Sequence, residues 1–338
     1  MIIDNEKSNL KKTVLVIGGA GYIGSHLVLD LCDNGYEVTV FDNLSSGFEA
    51  NIDPRADFIE GDILDDKDLS NIFKKSYLAV FHLAALKAAG DSMENPEIYS
   101  NVNISGTINI LNQMVEHKIK YLIFSSTAAV YGRPQYLPLD EKHPLKPINY
   151  YGFTKLEIER FLEWYSSLKG IKFACLRYFN AAGYDLNGRI LGLEKEPANL
   201  LPIVMEVALG VRKFISVFGN NYSTPDGTGI RDYIHVLDLV SAHKASLDYL
   251  SRKKTNIYLN LATGKGYSVL DIIKISQSVT QKEIMYKFVD KREGDCDQIV
   301  AISKIAKNFL DWAPEYSDMK IIIQSMWNVY SKKIIEDE

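Results

Sequence analysis

Three glycines in a fixed spacing constrain the N-terminal part of this chain more than any other feature. Gly18, Gly21 and Gly24 lie between a β-branched run, Thr13–Ile17, and an amphipathic stretch that predicts a helix over 23–34. In such a loop the first glycine permits a tight turn, the second lets a ligand approach the backbone, and the third lets the helix pack on the strand. The helix N-terminus then offers unpaired N–H groups and the positive end of its dipole. This pattern predicts a diphosphate site, and hence a dinucleotide cofactor.

Acidic residues follow the second and third predicted strands. Asp42 comes directly after the run Glu37–Phe41, and Asp62 comes two residues after the run Asp57–Glu60. A carboxylate at the end of the second strand accepts hydrogen bonds from the adenosine ribose and repels a 2′-phosphate, so Asp42 favours NAD over NADP. Asp62 stands where an adenine edge is expected. Either aspartate has an alternative interpretation as a turn former.

Strand and helix patterns alternate along the first half, which predicts an α/β fold with a doubly wound parallel sheet (Rossmann). After Asn180 the glycines and prolines of 183–202 indicate a loop-rich segment and the main change of domain. We expect an NAD-binding domain over 13–181, with return segments at about 231–262, and a smaller mixed α/β substrate-binding domain over 182–338, interleaved with it. The further elements that we predict are strands at Leu78–Leu83, Tyr121–Ser125, Lys172–Tyr178 and Ile257–Leu261, and helices at Ser105–Glu116, Leu156–Leu168 and Arg231–Leu250.

The composition excludes several classes of protein. A net charge of −5 argues against a nucleic-acid partner, and no apolar run reaches the roughly 18 residues of a membrane helix. The N-terminus, Met1–Lys12, is polar and lacks the apolar stretch of a signal peptide. Three distant cysteines and six scattered histidines have neither disulfide-framework nor metal-site spacing. We therefore expect a cytoplasmic protein with a small-molecule partner and no metal.

A tyrosine and a lysine suggest the chemistry. Tyr151 and Lys155 are spaced i,i+4 at the start of a predicted helix, so they share one helical face. A nearby lysine charge and a cationic nicotinamide are expected to lower the pKa of the tyrosine, which then exchanges a proton with a substrate hydroxyl. Spacing alone carries little weight, because the same pattern occurs at Tyr165/Lys169, Tyr249/Lys253 and Tyr316/Lys320.

Position distinguishes Tyr151 from those other tyrosines. It follows a strand that ends in the hydroxyl residues Ser125, Ser126 and Thr127, downstream of the glycine-rich loop. Ligands of doubly wound sheets bind at the carboxyl ends of the strands, so these groups are expected to meet there. At least one of the three hydroxyls has an alternative interpretation as a cap of the strand end.

With these motifs the chain resembles the extended short-chain dehydrogenase/reductases and, within them, the NAD-dependent 4-epimerases of nucleotide sugars. The resemblance runs from Thr13 to about Trp312. It implies a UDP-sugar substrate, inverted at C4 through transient oxidation to a 4-keto sugar, and a homodimer that pairs helices near 105–116 and 156–168. The segments that carry it are Gly18–His26, His82–Lys87, Phe124–Gly132, Tyr151–Lys155, Arg177–Asn180, Asp226–Val236 and Arg292–Asp295.

The resemblance also implies roles for single residues. Tyr151 is then the base, Lys155 binds the nicotinamide ribose and tunes Tyr151, and Thr127, where many relatives have serine, bonds the sugar hydroxyl. The implied cofactor contacts are Gly18, Gly21, Tyr22, Ile23, Gly24, Asp42, Asn43, Asp62, Ile63, Leu83, Ala84, Lys87, Asn103, Tyr151, Lys155 and Phe179. The implied substrate contacts are Lys87, Thr127, Asn180, Asn199, Leu200, Val217, Phe218, Arg231, Tyr233, Arg292, Asp295 and Ile299.

The substrate contacts leave some alternatives open. Arg231 and Arg292 fall on diphosphate-binding positions, but each has an acidic neighbour, Asp232 or Glu293, as an alternative ion-pair partner. Family members restricted to glucose and galactose often carry a bulky aromatic residue at the position of Ile299, whereas smaller residues accompany N-acetylated sugars. Isoleucine is intermediate, so N-acetylhexosamines and pentoses stay open as further substrates.

Two other functions compete with epimerisation. A dehydratase of the same fold needs an acid next to the position of Thr127, where this chain has Ala128 and Ala129, neither of which exchanges protons. A non-catalytic NAD-binding regulator needs the glycine loop and Asp42, but it has no need of Tyr151. Both alternatives are therefore disfavoured.

Overall fold

The structure is a computed structural model that describes residues 12–193, 197, 199–292 and 294–337. Most of the polar N-terminal segment and Glu293, the alternative partner of Arg292, lie outside the described residues. The strands are β1 (Thr13–Ile17), β2 (Glu37–Asp42), β3 (Asp57–Glu60), β4 (Ala79–His82), β5 (Tyr121–Ser125), β6 (Lys172–Tyr178), β7 (Asn180–Ala182), β8 (Ile215–Phe218), β9 (Ile230–His235), β10 (Ile257–Leu261), β11 (Gly266–Ser268), β12 (Tyr286–Val289) and β13 (Gln298–Ile299).

Seven parallel strands form the main sheet, in the order β10-β6-β5-β4-β1-β2-β3. The order reverses between β1 and β4, and doubly wound sheets bind their ligands in the crevice at such a reversal. β1 and β4 are buried along their whole length, which explains their continuous apolar sequences. The predicted late strand Ile257–Leu261 does return to this sheet, where it pairs with β6.

Helices cover both faces of the main sheet. α1, α8 and α10 pack on one face, and α2, α5 and α6 pack on the other. α7, α9 and α11 form a separate apolar cluster with β8. The helices are α1 (Tyr22–Asp33), α2 (Asp66–Ile72), α3 (Asp91–Glu94), α4 (Pro96–Tyr99), α5 (Gly106–Glu116), α6 (Tyr150–Lys169), α7 (Leu200–Ala208), α8 (Val236–Lys253), α9 (Val269–Thr280), α10 (Lys304–Leu310) and α11 (Met319–Asp337).

The start of the helix predicted over Arg231–Leu250 is wrong. Ile230–His235 is the strand β9, which pairs with β7, β11 and β13, and the helix α8 begins only at Val236. The His235 side chain accepts a hydrogen bond from the backbone N–H of Leu237 and so caps the helix. Tertiary pairing with three short strands, which local periodicity does not report, decides the conformation here.

The loop-rich segment that we predicted after Asn180 contains one helix. α7 begins at Leu200, and Pro202 lies within its first turn. Proline is tolerated there because the N–H groups of a first turn have no partner within the helix. Within the described part of the chain, no helix combines the length and the apolar character that crossing a membrane demands.

Candidate active site

A cavity of about 600 Å³ runs along the carboxyl ends of β1, β2, β4, β5 and β6. We call it the sheet-end cavity. It brings together most of the predicted cofactor contacts and all three predicted catalytic residues. The predicted residues that line it are Gly18, Gly21, Tyr22, Ile23, Gly24, Asp42, Asn43, Asp62, Ile63, Leu83, Ala84, Lys87, Thr127, Tyr151, Lys155, Phe179, Asn180 and Asn199.

The glycine-rich loop forms one wall of the sheet-end cavity and has no room for side chains. Gly18 has φ +84°, and a Cβ added there would lie 2.4 Å from the backbone nitrogen of Ala84. A Cβ on Gly24 would lie 2.1 Å from the carbonyl oxygen of Gly18. Gly21 is the N-cap of α1, so the N-terminus of that helix points at the cavity. This is the arrangement that binds a pyrophosphate.

Asp42 and Asp62 line the sheet-end cavity and also form turns. Each aspartate is therefore both a turn former and a possible cofactor contact. The Asp42 carboxylate accepts hydrogen bonds from the N–H groups of Ala20 and Leu44, both at 2.9 Å. Asp62 accepts one from the N–H of Leu64 at 2.8 Å and one from the Asn43 amide at 3.0 Å. A carboxylate oxygen accepts more than one hydrogen bond. These bonds therefore orient both carboxylates and leave them able to accept further hydrogen bonds from a ligand.

Asn103 does not reach the cavity. Its side chain is buried in a π-helical turn over Ser100–Ser105 and bonds both the N–H and the C=O of Leu86. It also donates to the Thr154 hydroxyl at 3.1 Å, and Thr154 in turn donates to the carbonyl of Tyr151. Asn103 therefore joins the cavity wall around Leu86 to the helix that carries Tyr151. Single-turn π insertions are frequent at functional sites.

Tyr151, Lys155 and Thr127 converge on the sheet-end cavity from two elements. Tyr151 and Lys155 lie in the first turns of α6, whose N-cap is the side chain of Asn149. Lys155 is buried and donates to the carbonyl of Ser125 at 3.0 Å. Thr127 lies two residues after the end of β5, and its hydroxyl accepts the N–H of Ala129 at 3.1 Å. Ser126 lies away from the cavity and bonds Glu159, so not all three hydroxyls of the strand end face the ligand.

In the protein alone, the pKa of Tyr151 is raised above its ordinary value. Burial raises its pKa, the nearby Tyr178 raises it further, and a hydrogen bond with Thr127 lowers it. Burial also lowers the pKa of Lys155 to about 7. In the protein alone, removal of the charged form from water is the largest cause of both shifts. Formation of the phenolate therefore depends on further positive charge in the cavity.

The other three tyrosine–lysine pairs lie outside both cavities. Tyr165 donates to the Asn112 amide oxygen at 2.7 Å, and Tyr249 packs edge-on against Phe309. Tyr316 packs against His235. Only the pair at Tyr151 and Lys155 meets the carboxyl ends of the strands.

A second cavity of about 600 Å³ adjoins the first and shares Asn180, Ala181, Asn199 and Pro202 with it. We call it the cap cavity. It lies between α7, β8 and the segment that carries Arg292. The predicted substrate contacts that line it are Asn180, Asn199, Leu200, Val217, Phe218, Arg231, Tyr233, Arg292 and Asp295.

Neither of the two predicted arginines, Arg231 and Arg292, forms an ion pair with Asp232. That aspartate is buried and accepts hydrogen bonds from Thr263 and Gly264 instead. Arg231 donates to the carbonyls of Ile230 and Cys296 and lies 3.5 Å from the Asp295 carboxylate. The Arg292 guanidinium lies 3.7 Å from the centre of the Phe218 ring.

Ile299 lines neither cavity. It is half-buried on β13 and packs in an apolar cluster with Val130, Tyr131, Leu139 and Phe179. Phe179, which packs on the same cluster, does line the sheet-end cavity.

Sequence reasoning missed several lining residues. Tyr178 ends β6, and burial raises its pKa to about 12. Tyr99 lies across the cavity on α4. Tyr178 could have been predicted from the sequence, because it ends a predicted strand and ligands bind at the carboxyl ends of such strands. Tyr99 could not, because it reaches the cavity only through the packing of α4 against α6. The remaining unpredicted polar lining residues are Ser45, Ser46, Asp91 and Tyr184 in the sheet-end cavity, and Arg212, Lys213, Ser216 and Tyr222 in the cap cavity.

Comparison with known proteins identifies the family. Residues 14–262 match the model of the NAD dependent epimerase/dehydratase family. The chain belongs to this family. The UDP-glucose 4-epimerase of Halalkalibacterium halodurans is 42% identical over 316 residues, which is 93% of this chain and 94% of that enzyme.

Solved structures of epimerases superimpose closely on this member of the family. A crystal structure of a UDP-glucose 4-epimerase has a TM-score of 0.93 and 43% identity, and the match covers 95% of this chain and 98% of that chain. The Brucella ovis UDP-glucose 4-epimerase, solved in complex with NAD, has a TM-score of 0.91 and 38% identity over 94% of this chain and 98% of that chain. The predicted doubly wound fold is confirmed.

Proposed function

We propose that this chain is an NAD-dependent epimerase that inverts C4 of a UDP-hexose and interconverts UDP-glucose and UDP-galactose. One observation carries the proposal. Tyr151, Lys155 and Thr127 meet in a cavity walled by the glycine loop, and this cavity adjoins a second one whose lining includes Arg231 and Arg292. The first cavity suits a dinucleotide and the second suits the diphosphate of a nucleotide sugar.

The residues of the sheet-end cavity fit NAD. Gly18 and Gly21 leave backbone exposed at the start of α1, where a Cβ on Gly18 would collide with Ala84. Asp42 presents a carboxylate at the end of β2, which suits ribose hydroxyls and opposes a 2′-phosphate. NAD⁺, when bound, supplies the acceptor for the C4 hydride and a positive charge within the cavity.

The chain's own residues handle the proton. Tyr151 removes the proton of the sugar 4-hydroxyl as the C4 hydrogen leaves, and it returns a proton to the oxygen when C4 is reduced on its other face. Thr127 holds that oxygen next to the phenol. Lys155, fixed by the carbonyl of Ser125, favours the phenolate when it is protonated.

The cap cavity grips the part of the substrate that does not react. Arg231 and Arg292 offer planar guanidinium groups for phosphate oxygens, which they bind in a bidentate manner. A firm hold on the nucleotide leaves the hexose as the part that turns between oxidation and reduction. We assign Asn180 and Asn199, which line both cavities, to the junction between nucleotide and hexose.

Dehydration is the alternative within the family. Ala128 and Ala129 lie in a short 3-10 turn after Thr127, so neither of the two residues that follow this hydroxyl in the chain is an acid. An epimerase has no need of one, whereas a dehydratase must protonate a leaving hydroxyl. A regulator that only binds NAD has no need of Tyr151 or Lys155.

A two-way assay without added oxidant tests the proposal and the range of sugars together. Purified protein is incubated separately with UDP-glucose, UDP-galactose, UDP-N-acetylglucosamine and UDP-xylose, and the products are separated by chromatography. We expect UDP-glucose and UDP-galactose to converge on one equilibrium mixture. Ile299 supports use of the N-acetylated sugar as a second activity, because it has less bulk than an aromatic residue and packs on the same apolar cluster as Phe179, which lines the sheet-end cavity. NAD-loaded protein that converts none of these sugars would contradict the proposal.

We also propose where the protein works and how it is divided. Cys32, Cys175 and Cys296 are free thiols, as is usual in the cytoplasm, and the reaction would belong to galactose metabolism. We assign cofactor binding to 13–181, with return segments at about 231–262, and substrate binding to 182–338. The position of β10 in the main sheet supports this interleaving.

A homodimer is the assembly that we propose. α6 exposes an apolar stripe: Trp164 and Leu168 are 64% and 69% exposed, and Phe153 lies on the same side three turns earlier. Tyr165 bonds Asn112 and so ties α6 to α5. The two helices therefore form one surface, which we expect to pack against the same surface of a second copy.

Replacing Trp164 with glutamate should shift the chain toward monomers. A charge placed in an apolar helix interface loses its water and finds no partner, so association weakens by at least about tenfold. Light scattering after size exclusion measures the change, and a wild-type mass of about twice 38.2 kDa is expected. Phe309→Glu, at a residue of α10 that is 54% exposed, is the matched control and should leave the mass unchanged. A monomeric wild type would refute the dimer.

A further inference from the structure

Glu159 and Arg177 form an ion pair beneath the sheet-end cavity. Their side chains are only 3% and 4% exposed. Arg177 donates from Nε to Glu159 Oε1 at 2.9 Å and from Nη2 to Oε2 at 2.5 Å. Neither residue lines a cavity, so neither is in place to touch cofactor or substrate. Replacing such a buried pair by apolar residues is often neutral or stabilising, so stability alone is a weak reason for it.

The pair joins the elements that carry the catalytic residues. Glu159 lies on α6 one turn after Lys155, and its Oε1 also accepts the hydroxyl of Ser126 at 2.6 Å. Ser126 immediately precedes Thr127. Arg177 lies on β6 immediately before Tyr178, which lines the cavity. One carboxylate thus ties the end of β5 and the end of β6 to the catalytic helix.

Arg177 is itself held on its other side. It donates to the Tyr131 hydroxyl at 3.2 Å, and that hydroxyl donates to the Asn260 side chain at 2.6 Å. Its guanidinium also lies over the rings of Tyr131 and Tyr258, at 5.2 and 5.0 Å from their centres. The carboxylate of Glu159 is therefore held against a cation that has no freedom to move.

The charge of Glu159 matters because Lys155 has otherwise neutral surroundings. Burial lowers the pKa of Lys155, whereas Cys175 and Glu159 raise it. Cys175, on β6, is a neutral thiol at working pH, because burial raises its pKa well above the ordinary value. His82, on β4, is neutral because burial lowers its pKa to about 3. On α6 and β6, Tyr151 and Tyr178 are phenols with raised pKa values. Among the described residues, Glu159 is then the anion that favours protonated Lys155.

We propose that Glu159 is a positioning residue of the epimerase. Clamped by Arg177, its carboxylate fixes the strand end that carries Thr127 and supplies a negative charge one helical turn from Lys155. This inference rests on the proposed function. It assigns a role to a residue that touches neither cofactor nor substrate.

Glu159→Gln tests the charge of this residue with little change of shape. We expect kcat to fall by about 10- to 100-fold, because the strand end loosens and Lys155 loses its proton more easily. KM should stay within about threefold, since the cap cavity is untouched. The limb of the kcat profile in which activity falls with rising pH should move down by about 1 pH unit, because a lysine without its anion deprotonates at lower pH. Glu157→Gln, a partly exposed neighbour on α6 that pairs with Arg160, is the matched control and should leave both quantities unchanged.

A double variant separates positioning from stability. Glu159→Gln leaves a buried arginine without its partner and can unfold the protein, whereas Glu159→Met with Arg177→Met removes both charges. We expect the double variant to melt near the wild-type temperature and yet to keep the low kcat and the displaced pH limb. Wild-type kcat and pH profile in either folded variant would overturn the inference while the proposed function stands. Absence of epimerase activity in the wild type would contradict both the inference and the proposed function.

Discussion

Tyr151→Phe is expected to reduce kcat for UDP-glucose epimerisation by about 10²- to 10⁴-fold, the usual contribution of a general acid–base group. The substitution removes one oxygen from a residue that lines the sheet-end cavity and leaves its ring in place. Folding and NAD content should be unchanged, because the glycine loop and Asp42 make no bond to that hydroxyl. Product formation by chromatography and cofactor content by absorbance measure the two effects.

Tyr165→Phe is the matched control for this loss. Tyr165 lies on the same helix and also precedes a lysine by four residues, but its hydroxyl bonds Asn112 on α5. We expect wild-type kcat in this variant. A Tyr151→Phe protein with wild-type kcat would show that another group removes the proton, and Tyr178 and Tyr99, which also line the cavity, would be the next candidates.

Arg231→Met is expected to raise KM for the UDP-sugar by about 10- to 150-fold, because a hydrogen bond to a charged group contributes about 1.5–3 kcal/mol. The arginine lines the cap cavity and lies away from the groups that exchange the proton, so kcat should change by only a few fold. NAD content should not change, since Arg231 does not line the sheet-end cavity. Initial rates over a range of UDP-glucose concentrations separate the two constants.

Arg252→Met serves as the control for loss of positive charge. Arg252 is exposed near the end of α8, where it bonds the carbonyl of Asp248. Arg252→Met changes the net charge by the same amount as Arg231→Met and should leave KM unchanged. Equal increases of KM in both variants would indicate long-range attraction of the substrate rather than contact with its diphosphate.

Much of the fold could be predicted from local patterns. Thr13–Ile17, Asp57–Glu60, Tyr121–Ser125 and Lys172–Tyr178 are strands with the predicted bounds. The apolar cores of Thr13–Ile17, Tyr121–Ser125 and Lys172–Tyr178 are typical of strands that are buried on both faces, whereas Asp57–Glu60 is a mostly exposed edge strand. The strand at Ile230–His235 was missed because its conformation depends on pairing with three short strands that lie elsewhere in the sequence.

Most residues of the candidate site could be predicted from the sequence, but the pKa values of its titratable groups could not. The predicted cofactor contacts do meet in one cavity, because the carboxyl ends of parallel strands share an edge. Asn103 and Ile299 were assigned contacts, yet neither lines a cavity: Asn103 bonds Leu86 behind the cavity wall, and Ile299 packs in an apolar cluster. The rise in the pKa of Tyr151 depends on burial, which spacing along the chain does not report.

The proposed reaction oxidises and reduces C4 within one site, and epimerisation in D₂O tests this most directly. UDP-glucose is incubated with the protein in D₂O, and the UDP-galactose formed is examined by proton NMR. Because the hydrogen that leaves C4 as a hydride returns to the same carbon, the product should carry no deuterium there. Deuterium at C4 would mean that the hydrogen leaves as a proton, and deuterium at C5 with loss of water would indicate a dehydratase. Either result would contradict the proposed epimerisation by hydride transfer at C4.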